Sequence, residues 1–260
     1  MWRHIRIGFL LFVLAITAWS SWYDRLSTTD WDETLHIGVF PINPDGGRVS
    51  GEYITRLAQE DFAAIASFFN EEAARHGVGF SNVARVELYP EVREQPPAVA
   101  PDAGLLPNLS WSLKMRLYAR RNARPPARSP PQIRIFVLYH DPARANSLPH
   151  SVGLQKGLVG VVHAFAERDM TPTNNVVIAH EILHTLGASD KYDGATLAPL
   201  FPTGYAEPER QPRFPQDFAE IMAGRVPVDA DTFEMPASLA EVLVGDATAL
   251  EIRWIDRLAP

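Results

Sequence analysis

The chain has 260 residues, 46% of them hydrophobic, and a formal net charge of −7. That is enough apolar material for one substantial core, and the acidic balance, with no aromatic-basic motif, excludes a general nucleic-acid binder. There is no cysteine, so the fold uses no disulfide, any metal site must be built without thiolate, and an oxidising compartment is permitted but not required.

The first element is N-terminal. Ile7 to Ala18 is uninterruptedly apolar or small and follows Arg3, His4 and Arg6. A cleaved signal peptide fits this pattern, with Ala18-Trp19-Ser20 as its cleavage site. An uncleaved anchor accounts for more of the residues. Trp2 at one end and Trp19, Trp22 and Tyr23 at the other make interfacial belts, and the stretch spans about 31 Å as a helix, near the hydrocarbon thickness of a bilayer. Residues 1–23 are therefore expected to be a membrane anchor or signal segment. The basic start stays cytoplasmic and the rest lies on the extracytoplasmic side, or is secreted if the segment is cleaved. Residues 24–33 read as a linker and 34–260 as one folded domain.

Within that domain Thr34 to Phe40 reads as a strand closed by Pro41 and Pro44. A helix capped by Ser50 is expected from about Gly51 to His76, with Ala58, Phe62, Ile65 and Phe69 on one face and Gly77 as its stop. Val83 to Tyr89 alternates as a half-buried strand. Pro90 to Pro107 reads as an exposed loop, followed by a helix from about Ser110 to Arg121 that carries Trp111, Met115 and Tyr118. The basic set Lys114, Arg116, Arg120, Arg121, Arg124 and Arg128 reads as a solvated face, with contact to anionic lipid as the alternative. Gln132 to His140 is near-continuously apolar and suits a central strand. Gly157 to Phe165 is the next strand. Ala237 to Trp254 has helical periodicity, loosened near Gly245, with Leu239, Val242, Leu243, Leu250 and Trp254 apolar.

The chemistry lies in His180-Glu181-Ile182-Leu183-His184-Thr185-Leu186-Gly187-Ala188-Ser189-Asp190. Two histidines four apart on a helix share a face, roughly 6 Å apart, which suits joint coordination of one ion. Glu181 can reach a metal-bound water as general base. Thr171-Pro172-Thr173 offers an N-cap hydroxyl and a first-turn proline. Val176, Ala179, Leu183 and Leu186 form the stripe that seats the helix. Gly187 ends it by accepting a left-handed conformation, and the reversed chain can return Asp190 to the histidines as third ligand. The pattern points to a zinc hydrolase.

His180, Glu181, His184, Gly187 and Asp190 resemble the extended signature of metzincin metallopeptidases, in the snapalysin-like variant with aspartate as third ligand. Phe218-Ala219-Glu220-Ile221-Met222-Ala223-Gly224 resembles the Met-turn of that family, with Met222 packing beneath the metal. The resemblance covers Asn174 to Gly224. It implies an α+β fold with a twisted mixed sheet, an active-site helix and a C-terminal helix. It also implies that Leu158–Phe165 is the antiparallel edge strand above the cleft, to which an extended peptide could add. Close backbone approach at Gly153, Gly157 and Gly160 would suit that role; turns and strand twist would explain these glycines equally. The implied activity is endopeptidase action on protein or peptide by one catalytic Zn²⁺, held by His180, His184 and Asp190, with Glu181 as base. No tyrosine follows Met222, unlike the astacin and serralysin branches.

Alternatives stay open at the third ligand: Asp193, Glu207, Glu209 or Glu220 could take it, Asp190 and Asp193 could simply cap a turn, and Asp193 could instead hold a structural Ca²⁺. His140 ends a core strand and His163 lies on the next, where either could face the cleft, though both read first as polar residues at strand boundaries; His150 reads as a loop residue. Two other functions compete with the peptidase: a metal-stabilised binding domain without activity, and a zinc amidase acting on a non-protein amide.

Overall fold

Five strands make the central sheet of the computed structural model, which describes residues 29–98, 105–123, 130–144, 147–155 and 157–258, with Arg6 and Gly8. They are Leu35–Ile42 (β1), Ala84–Leu88 (β2), Ile133–His140 (β3), Val152–Leu154 (β4) and Val159–Phe165 (β5), in the order β2-β1-β3-β5-β4. All neighbours are parallel except β4 and β5, which pair antiparallel through Val152↔Val161 and Leu154↔Val159. The domain is thus mixed α+β with a mostly parallel sheet.

Side-chain alternation divides the core. Ile37 and Val39 of β1, Ile135 and Val137 of β3 and Val162 of β5 face a cluster that also takes in Tyr53 and Ile54 of helix Arg48–Thr55 (α1), Ile65 and Phe69 of helix Ala63–Arg75 (α2) and Ile178 and Ile182 of helix Thr171–Leu186 (α4). The opposite face, with Phe40, Phe136, Leu138 and Val161, packs on Met115, Tyr118 and Ala119 of helix Leu105–Asn122 (α3). Sheet strands covered on both faces read as continuous apolar runs.

Four expectations need correction. The Gly51–His76 helix is two helices separated by a 3₁₀ turn at Gln59–Phe62. Asp61 Oδ2 accepts the Ala58 N–H at 2.9 Å, and such local bonding starts a new helix instead of continuing the old one. Strand β1 runs through Pro41 to Ile42. The Pro41 carbonyl faces the side of β2, accepting Val92 N–H at 2.9 Å beyond the last β2 partner, so the missing proline N–H costs no ladder bond. The strand Leu158–Phe165 is no edge: β5 lies inside the sheet, parallel to β3, and Val159 and Val162 are buried. The antiparallel edge is the three-residue β4.

The C-terminal stretch is also not one helix. It comprises a 3₁₀ turn at Leu239–Glu241, strand Val242–Leu243 (β9) paired with Ala219–Glu220 (β6), and helix Asp246–Glu251 (α5). A second two-residue pair joins Val226–Pro227 (β7) to Phe233–Glu234 (β8). The expected helix at Ser110–Arg121 is present and begins earlier, at Leu105. Among the described residues no helix is long and apolar enough to cross a membrane. The anchor expected at residues 1–23 lies outside the described residues, apart from Arg6 and Gly8.

Candidate metal centre

Helix α4 forms where the motif requires it. Pro172 occupies the first turn, and Gly187 takes φ +106° to end it. Its stripe is buried: Val176, Ala179, Leu183 and Leu186 are each at most 3% exposed, which leaves the histidine face to the cleft. The helix start differs from expectation. Thr171 is its first residue, and the Oγ1 meets Tyr53 Oη at 3.0 Å instead of capping the helix.

The two imidazoles stand edge to face with ring centroids 4.6 Å apart. His180 Nδ1 lies 2.9 Å from the Ile221 carbonyl and His184 Nδ1 lies 2.8 Å from the Ala188 carbonyl. A carbonyl only accepts, so each Nδ1 carries the proton and each Nε2 is left with a lone pair. Both lone pairs meet the same atom: Asp190 Oδ1 is 3.2 Å from His180 Nε2 and 3.1 Å from His184 Nε2. With neutral imidazoles, three acceptors converging at that range repel, and either a proton on Nε2 or a metal ion among them relieves this. Donors bound to a tetrahedral zinc at about 2.1 Å would stand about 3.4 Å apart, within a few tenths of an ångström of what is found.

The charges around the site follow from this packing. Burial opposes a proton on His180, but Asp190, Glu181 and the Ile221 carbonyl outweigh it and raise its pKa. Burial would likewise raise Asp190, yet its two imidazole partners hold it well below the usual carboxylate range. Glu181 is 4% exposed, and burial, with Asp190 nearby, raises its pKa despite the imidazoles. Its Oε2 is buried with no hydrogen-bond partner among the described residues. His180, Glu181 and His184 together could hold a metal ion, with one ligand atom of each within 4.8 Å of the others.

The turn carrying Met222 adjoins the site through the Ile221 carbonyl, which His180 Nδ1 meets. Ala223 N–H and Gly224 N–H both donate to the Glu220 carbonyl, at 3.0 and 2.9 Å, and Gly224 takes φ +67°. Met222 is fully buried. Lys191 N–H donates to the Met222 carbonyl at 3.0 Å, tying the segment after Asp190 to this turn.

The other candidates for third ligand are engaged elsewhere. Glu220 is fully buried inside the turn: Oε2 accepts Met222 N–H and Ala223 N–H, and Oε1 accepts Gly245 N–H and the Thr248 hydroxyl. Asp193 is exposed and caps a turn through Ala195 N–H, Thr196 N–H and Thr196 Oγ1, with no Ca²⁺ cage around it among the described residues. Glu207 pairs with Arg210, and Glu209 is exposed. Only Asp190 of this set meets both imidazoles.

A cleft of about 700 Å³ opens beside His180 and Glu181, lined by Val176, Val177, Phe165, Met170, Ile221 and Met235 among others. His150, His163, Tyr192 and Arg225 also line it, residues with no distinctive spacing in the sequence. His163 Nδ1 meets His140 Nε2 at 2.8 Å, and burial followed by the neighbouring imidazole lowers the His163 pKa to about 4. The glycines expected to admit a peptide do other work. A Cβ at Gly153 would stand 2.5 Å from the Glu181 carbonyl and from His184 Cβ, so this glycine lets β4 lie against α4. Gly157 takes φ +109° in the turn before β5, and a Cβ at Gly160 would meet Ile135 at 2.7 Å.

No protein-family model matches this chain, and no curated protein matches it in sequence.

Proposed function

We propose that the chain is a zinc-dependent endopeptidase of metzincin type, with Zn²⁺ held by His180, His184 and Asp190. One observation carries the reading: two imidazoles held through Nδ1 by backbone carbonyls aim their Nε2 atoms at a single carboxylate oxygen. A metal ion replacing the Nε2 protons would be gripped by all three groups, and an all-nitrogen-and-oxygen set of three suits zinc with a position left open. The short antiparallel edge strand over the motif helix and the buried Met222 in its turn support the family assignment. The N-terminal segment, read from sequence alone, would place the domain outside the cytoplasm on a membrane anchor.

When bound, the ion would supply an acidified water and polarise the substrate carbonyl. Glu181 does the proton work. Its unpartnered Oε2 accepts a proton as water attacks the carbonyl carbon and delivers it to the amine nitrogen that leaves. Burial raises the pKa of that carboxylate. Ile221 and Ala188 fix the tautomer of each imidazole through their carbonyls. An inactive binding domain would have no use for a buried carboxylate with one oxygen left unpartnered in this place.

Glu181→Ala in the zinc-loaded protein should lower peptide hydrolysis by about 10²–10⁴-fold while zinc content stays near one equivalent. Undiminished cleavage by the variant would remove Glu181 from the mechanism. Loss of zinc along with activity would make it a ligand instead.

A further inference from the structure

Among the described residues that line the cleft, Arg225 is the single lysine or arginine. It is half-buried, and its guanidinium makes no hydrogen bond or ion pair with any described residue. The turn that serves the metal centre also delivers it. Ile221 takes the His180 proton donor, Gly224 reverses the chain at φ +67°, and Arg225 pairs back onto Glu220 in an isolated bridge. Val226 then joins β7 to β8, which brings Met235 to the same cleft. Arg225 is therefore fixed at both flanks by backbone pairing.

The surroundings are largely apolar. Val176, Val177, Met170, Ile221 and Met235 offer no acceptor in their side chains. An unpartnered guanidinium beside a cleft is met by a carboxylate through a two-pronged hydrogen bond that no neutral group matches. Glu181, the acid in this lining, forms no ion pair with it and is assigned to proton transfer.

We infer that Arg225 makes the cleft selective for a substrate carboxylate close to the bond that is cut. The inference rests on the peptidase reading for its position relative to the scissile bond. The carboxylate has two sources: an aspartate or glutamate side chain, or the C-terminal carboxylate of a peptide.

Zinc-loaded wild type and Arg225→Gln are assayed on four peptides, with glutamate or glutamine beside the scissile bond and a free or amidated C-terminus. Wild type should favour a carboxylate-bearing peptide by about tenfold or more in kcat/KM, and Arg225→Gln should bring that ratio close to one. Preference that follows glutamate identifies the side chain as the source. Preference that follows the free terminus identifies the terminal carboxylate and an exopeptidase-like register. Arg225→Lys should retain part of the ratio and Arg225→Glu should reverse it toward lysine-bearing peptides, which separates selectivity from a folding defect. A wild type indifferent to all four, or a ratio unchanged in Arg225→Gln, overturns the inference. If wild type cuts none of them, the peptidase reading falls, and equilibrium binding of the same peptides then decides the inference alone. A tenfold affinity difference that Arg225→Gln removes upholds it, and equal affinities sink it.

Discussion

The half of the domain before the motif helix and the half after it are built by different means. Up to Phe165, regular strands and helices bury apolar side chains on two sides of one sheet, and backbone ladders satisfy the polar groups. From Gly187 to Val244 the longest regular strand has two residues. Buried or half-buried acid and amide side chains supplement short backbone pairings there. Glu220 bonds four donors, Glu72 Oε2 reaches across from α2 to accept Val244 N–H at 2.6 Å, and Gln216 bonds the backbone of Glu207 and Arg213. Arg75 and His76 hold the Val244 carbonyl. The centre draws on both halves: His180 and His184 come from a helix packed on the sheet, whereas Asp190, Ile221 and Met222 come from the polar-stapled half. Its geometry can be only as firm as those staples.

Removing a staple is therefore expected to cost more than trimming the sheet. Glu220→Ala strands the Met222 N–H and the Thr248 hydroxyl at a buried site and the Gly245 N–H at a half-buried one, while Ala223 N–H keeps the Glu220 carbonyl. Such losses cost about 3–5 kcal/mol, against about 1 kcal/mol for Ile135→Val in the sheet. Urea unfolding of both variants measures the contrast. Equal losses would mean that water or a rearranged turn replaces the carboxylate, and that the two halves do not differ in kind.

The same division explains what the sequence let through. The sheet half was legible because period-two alternation and apolar runs report directly on burial: Ile133–His140 lies centrally, buried on both faces, as expected. The helix of the centre was legible from its stripe and Gly187. Asp190 was reachable by a turn argument. Strand β4 was missed because three residues, Val152-Gly153-Leu154, carry too little pattern to register. Asp61 broke the first long helix through one local hydrogen bond that no periodicity shows. Glu220 looked like a spare ligand because its partners, at Gly245 and Thr248, lie over twenty residues away. Arg225 and Tyr192 reach the cleft through turns whose directions depend on such distant contacts.

A smaller effect tests the seam where the regular half touches the centre. Gly153 lies so close to α4 that a methyl group would meet the Glu181 carbonyl and His184 Cβ. Backbone cannot yield cheaply there, so Gly153→Ala should cost about 1–3 kcal/mol and displace β4 from the helix. The informative result is a loss of hydrolysis that exceeds the loss of stability, because the strand edge shields Glu181. Unchanged stability and activity would show that β4 moves freely, and the seam would then be less rigid than the strand pairing implies.

The smallest effect concerns a histidine pair of the sheet half, one member of which lines the cleft. His163 and His140 share a 2.8 Å hydrogen bond, and burial, with the second imidazole, lowers the His163 pKa to about 4. An unfolded histidine titrates near 6.5. Between those two values the unfolded chain binds a proton that the folded chain refuses, so stability must fall as pH drops from about 6.5 toward 4 and level off below. Allowing for partial exposure, this group contributes about 1–2 kcal/mol of that decline. Lowered carboxylates such as Glu251, held down by Lys191 and Ser189, lose their contribution mainly below this window, so the difference between wild type and His163→Gln isolates the imidazole. The two stability curves should run parallel above pH 7 and converge on acidification. Curves that stay parallel down to pH 4 would mean that His163 protonates as freely folded as unfolded, and that the cleft floor is wet. In that case the sheet half, too, would depend on solvent at its functional edge, and the contrast between the halves would end at the cleft.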